Sequence, residues 1–101
     1  MALRAPRTVS FAIRGPIARD DLPGLCDRVC ALFARSAPDV AYCDVAEITP
    51  DAVTVDALAR LQLAAVRLGC RVRLLNVSPE LRQLLAFMGL SNVLPDDGYP
   101  G

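Results

Sequence analysis

Three short apolar runs, each followed by a stretch of helical spacing, constrain the fold of this chain more than any other feature. Residues 8–13 read TVSFAI, with Val9, Phe11 and Ile13 alternating with smaller or polar side chains. Period-two alternation predicts a strand. Residues 40–48 read VAYCDVAEI, a mostly apolar run with β-branched members, as expected of a strand buried on both faces of an α/β sheet. Residues 71–77 read RVRLLNV and alternate at their start.

Helical spacing fills the intervals. Gly15-Pro16 breaks the first run, and Asp20 and Asp21 stand where a helix start favours acids. Over 22–34 the residues Leu22, Leu25, Cys26, Val29, Cys30, Leu32 and Phe33 recur at helical spacing. Thr49-Pro50-Asp51 is a turn. A second helix is predicted over 54–68, with Val55, Leu58, Leu61, Leu63, Ala65 and Leu68 as its apolar positions and Gly69 as its stop. Ser78-Pro79-Glu80 opens a third helix over 80–87, with Ser as N-cap and Pro at the first helical position. Gly89 closes it. Residues 92–94 are read as a short final strand, and 95–101, rich in Pro, Gly and Asp, as a mobile tail. This strand–helix order predicts one α/β domain over 1–101: a four- or five-stranded mixed sheet, covered by helices mainly on one side, with loop 49–53 exposed at one end.

Composition narrows the function. The 101 residues carry no net charge, so no overall field draws in nucleic acid or anionic lipid. All eleven basic residues are arginine, and there is no histidine. Without histidine there is no Ser-His-Asp triad, no Cys-His pair and no His-ligated zinc site. No Gly-rich phosphate loop or nucleophile-base pair is present, and an enzyme is not expected. No apolar stretch reaches the roughly 20 residues of a membrane span, and the first residues do not form a secretory signal. The expected location is the cytoplasm, without membrane insertion. The four cysteines, Cys26, Cys30, Cys43 and Cys70, form no C-x-x-C pair. Buried thiols packing as small hydrophobes are the expectation, with neither zinc nor disulfide; a four-thiolate zinc site is the alternative.

The C-terminal half carries a more specific signal. CDVAEIT precedes the helix DALARLQLAAVRLG, then RVRLLNVSPELRQLLAFMGLSNVLP follows. This succession resembles the STAS family of anti-sigma factor antagonists: a strand ending in Asp, a loop, a helix with an LG stop, a strand, Ser-Pro-Glu, a Leu-rich helix and GL…VLP. The first half fits more loosely. The resemblance implies a STAS-like α/β sheet, no cofactor, and a protein partner, either a kinase-like anti-sigma factor or a transporter subunit. It leaves the oligomeric state open, a homodimer included.

In the family's antagonists the loop before the second helix reads Asp-Ser-Ser/Thr-Gly, and a kinase-like anti-sigma factor phosphorylates its first Ser to break the complex. A phosphate there meets free N–H groups at a helix start and inverts the charge of an interface. Counted back from Leu68-Gly69, the matching residues are Asp51, Ala52, Val53 and Thr54. Asp51 keeps the family's Asp, whereas Ala52 replaces the acceptor Ser. A second family acid falls on Ala18, with Asp20 and Asp21 nearby. Thr54 fits two roles, N-cap of the second helix or displaced phosphoacceptor. Asp51 fits a contact to a partner or to a nucleotide's ribose, or a turn residue or alternative cap. The expected partner surface comprises Thr49, Asp51, Ala52, Val53 and Thr54 in the loop with Asp56 and Arg60 on the helix, and Arg67 also faces solvent. The resulting reading is a partner-binding regulator not switched by loop phosphorylation; the alternative is an accessory subunit of an ABC-type lipid or other transporter.

Overall fold

Alternation in the three apolar runs resolves into three strands of a computed structural model, which describes residues 5–94. The strands are β1 (Thr8–Ala12), β2 (Val40–Asp44) and β3 (Arg71–Leu75), and the helices α1 (Leu22–Ser36), α2 (Ala52–Arg67) and α3 (Pro79–Phe87). A short 3-10 turn, Arg19–Asp21, leads into α1. The sheet runs β1-β2-β3, with both pairs parallel. Each strand is thus returned to the same end by a helical crossover, as parallel pairing requires.

One face of the sheet carries the core. Val9, Ala41 and Val72 share a row, as do Phe11, Cys43 and Leu74. Ala41, Cys43, Val72 and Leu74 are wholly buried, in one cluster with Phe33 of α1, Leu58 and Leu61 of α2 and Leu81 of α3. The edge-to-face contact of Phe11 and Phe33, 6.0 Å between ring centres, ties β1 to α1. The other face presents Thr8, Val40 and Arg71, then Ser10, Tyr42 and Arg73, then Ala12, Asp44 and Leu75. No residue of that face is fully buried. The expectation that β2 is buried on both faces is therefore corrected: Val40, Tyr42 and Asp44 are half-buried, because the helices cover one side only.

The expected four or five strands in a mixed sheet are three parallel strands among the described residues. Residues 92–94 do not pair as a strand. The N–H groups of Val93 and Leu94 turn back onto the Leu90 carbonyl at 3.1 and 2.9 Å, which closes a turn and drops Leu94 into the core. The segment 95–101, read as a mobile tail, lies outside the described residues.

The space beside β3 is taken by a side chain instead. Gln62 of α2 accepts from the Val72 N–H at 2.9 Å and donates to the Val72 carbonyl at 3.0 Å. It also donates to the Val93 carbonyl at 2.7 Å. Its amide thus pairs with β3 as the peptide of a neighbouring strand would, and it is buried in doing so. Sequence reasoning placed Leu63 and Leu68 among the apolar positions of this helix, but they are 59% and 50% exposed. The core-facing stripe is Val55, Leu58, Leu61, Gln62 and Ala65, at the three- and four-residue steps of one helix face.

Candidate functional site

Parallel strands bring the loops after β1, β2 and β3 to one end of the sheet, the usual place for a site in α/β folds. These loops are bonded together. The Ile13 N–H donates to the Asp44 carbonyl, Gly15 N–H to Glu47 and Val45 N–H to Leu75, at 3.0 to 3.1 Å. Gly15 lies so close to the β2–α2 loop that a Cβ there would stand 2.6 Å from the Thr49 nitrogen; only glycine permits this approach. Asp44 organises the next gap. Its carboxylate accepts from the Ala46 N–H at 2.9 Å and from the Asn76 amide at 3.1 Å. These bonds, that of Asn76 foremost, hold its pKa below the ordinary carboxylate value. Asn76 adopts a left-handed backbone, φ 60°, which its short polar side chain tolerates.

The start of α2 sits beside this cluster. Asp51 is the N-cap: its carboxylate accepts from the Thr54 N–H at 2.8 Å. Thr54 is therefore not the cap, and it is not displayed either. It is fully buried, and among the described residues its Oγ1 has no hydrogen-bond partner. A capping Asp three residues ahead places Thr54 in the first turn, on the face turned to the core. Thr49 and Ala52 are exposed, and Asp51 and Val53 half-buried. Ala52 is the first residue of the helix and is exposed, so its methyl group points outward at a helix start.

Asp56, expected to face solvent, is half-buried and shared between two arginines, Arg60 one turn on at 3.1 Å and Arg19 at 3.4 Å. Arg19 was not among the residues picked from sequence. It lies in the loop before α1, and no spacing rule links it to a helix 37 positions away. The structure thus brings Thr49, Asp51, Ala52, Val53, Asp56 and Arg60 to one surface and turns Thr54 inward. Beyond Arg60 the outer stripe of α2 continues through exposed Leu63, Val66 and Arg67. Apolar and charged residues mix along it, as at protein interfaces.

Among the described residues no three or more Cys, Asp or Glu side chains gather into a metal-sized group, and no helix is long and apolar enough to cross a membrane. Cys43, under the sheet, has its thiol pushed up to about 12 by burial, and burial also raises Cys70 and Cys26.

No family model matches the chain, and no curated relative does. Solved structures do. The anti-sigma factor antagonist SpoIIAA in its unphosphorylated form superimposes with a TM-score of 0.69 at 17% identity, over 96% of this chain and 85% of that one. The chain is STAS-like in fold. A sulfate transporter family protein from Wolinella succinogenes is also similar, with a TM-score of 0.66 at 24% identity, over 86% of this chain and 70% of that one.

Proposed function

We propose that this STAS-like domain is a non-enzymatic, cytoplasmic protein-interaction module, an anti-sigma factor antagonist-like regulator that loop phosphorylation does not switch. The observation that carries the reading is the pair Ala52 and Thr54. The exposed position at the start of α2 has no hydroxyl, and the nearest hydroxyl on the helix is fully buried. A kinase docked on this loop meets a methyl group and cannot reach Thr54. The domain remains in the state competent for its partner.

Partner contact falls on Thr49, Ala52 and the exposed parts of Asp51, Val53, Asp56 and Arg60. The test is phosphosite mapping after incubation with a kinase-like anti-sigma factor and ATP, alongside ATP-dependent pull-down. The wild-type chain should stay unlabelled at 49–54 and bind equally with and without ATP. Ala52→Ser should gain a phosphate and lose binding when ATP is present, since the new group sits against free N–H groups at the helix start and adds negative charge to the interface. Labelling of wild-type Thr54 would refute the reading. The likeness to a sulfate transporter family protein supports a second reading, an accessory transporter subunit. It requires no phosphate, and co-purification with a permease rather than an anti-sigma factor would establish it.

A further inference from the structure

The two margins of the sheet differ. On β3 the outward-facing residues are Val72 and Leu74, both wholly buried, with Val72 bonded to Gln62. On β1 the margin is open among the described residues. Its bonds to β2 run through the odd-numbered residues. The Arg7 carbonyl accepts from the Val40 N–H at 3.2 Å, and the Ile13 N–H donates to the Asp44 carbonyl at 3.1 Å. In a parallel ladder alternate residues face the same neighbour. The N–H and C=O groups of Thr8, Ser10 and Ala12 therefore point away from the sheet. All three residues are exposed, and among the described residues nothing bonds to them on that side. Natural edge strands carry a charge, a proline or a bulge against stray pairing; TVSFA has none.

A groove of about 730 Å³ runs beside this margin, between β1 and α1. Phe11, Ile13, Ile17, Leu25, Val29 and Leu32 give it an apolar floor. Phe11, Leu25 and Leu32 are only partly buried by their own chain.

We propose that β1 pairs antiparallel with β1 of a second copy, about a two-fold axis at Ser10, and joins the two sheets into one. The sequence of β1 is self-complementary in that register. Ser10 meets its own counterpart, and Thr8 meets Ala12, so the helix-free face carries only small side chains at the seam. On the other face Val9 meets Phe11, twice, the aromatic and β-branched pairing that stabilises antiparallel neighbours. Arg7 falls opposite Ile13 and Arg14 opposite Pro6, so along the paired strands no like charges confront each other. The axis keeps both sets of helices on one side of the joined sheet. The two grooves then face each other, and each covers the half-buried apolar residues of the other. None of the α2 residues assigned to partner contact takes part, so the dimer stands or falls independently of that assignment.

The test is sedimentation velocity on the 101-residue chain over a concentration series, with hydrogen exchange at the two ends of the series. The wild type should sediment as a dimer when concentrated, and the Thr8, Ser10 and Ala12 amides should exchange more slowly there than in dilute solution. Ser10→Pro should weaken the dimer by at least roughly tenfold. It should leave the far-UV circular dichroism unchanged, because proline is tolerated where an edge N–H faces solvent. A monomer at every concentration, protection that maps elsewhere, or a dimer indifferent to Ser10→Pro would each overturn the proposal. If that variant does not fold, exchange on the wild type decides alone.

Discussion

At the scale of single residues, Asp44 offers the clearest link between geometry and a measurable quantity. Its carboxylate is ionised against two donors, Ala46 N–H and the Asn76 amide, and its folded pKa is depressed. A depressed carboxylate stabilises the fold at pH values above its unfolded pKa of about 3.9, and that stabilisation is lost as pH falls through the lower folded value. Asp44→Asn keeps the shape but not the charge. It should cost about 1 kcal/mol at neutral pH, and the two proteins should converge as the solution is acidified below about pH 4. Urea unfolding across a pH series checks this; a constant offset at every pH would mean that the charge is not the source. Asp44 was legible in the sequence as the acid ending a strand. Its Asn76 partner was not, because the two meet only when β2 and β3 align side by side.

At the scale of elements, α2 shows what periodicity reveals and where it misleads. The alternation of period two and the 3.6-residue spacing placed all three strands and all three helices within a few residues of their observed ends. Hydrophobicity alone put Leu63 inward and said nothing of Gln62. The inward place goes to the side chain able to satisfy a bare strand margin, since a buried peptide group left unpaired bears its full desolvation cost. Gln62→Met fills the same space but leaves the Val72 N–H, the Val72 carbonyl and the Val93 carbonyl without that amide. It should lower stability by roughly 2–4 kcal/mol. Leu63→Ala, one position on, should change it by no more than about 0.5 kcal/mol. Denaturant midpoints of the two variants give the comparison directly; equal losses would mean that the amide contributes no more than any side chain of its size.

At the scale of the whole molecule, the residues that sequence reasoning picked for partner contact lie on the loop before α2 and its first turns, with Thr54 turned inward. Its charges are less free than the sequence suggested, because Asp56 is held between Arg60 and Arg19. Contacts made across 37 positions of chain have no local signature, so only the assembled fold discloses them. Asp56→Lys would set a cation between two arginines, and Arg60→Glu would set a second acid beside Asp56. Each should weaken partner binding about tenfold or more, with a stability cost near 1 kcal/mol, as for modest surface changes. Titration calorimetry with the partner and thermal unfolding of each variant separate the two effects; undiminished binding by both would move the interface off α2. Gln62 has a consequence at this scale as well. By occupying the β3 margin at Val72 it leaves, among the described residues, the β1 margin as the place to add another strand, so the pairing proposed above has a valence of one. A building block of valence one makes pairs and then stops. A block open at both margins would stack without limit, so in the proposed pairing a buried side-chain amide on one helix would set the ceiling on how large the assembly can grow.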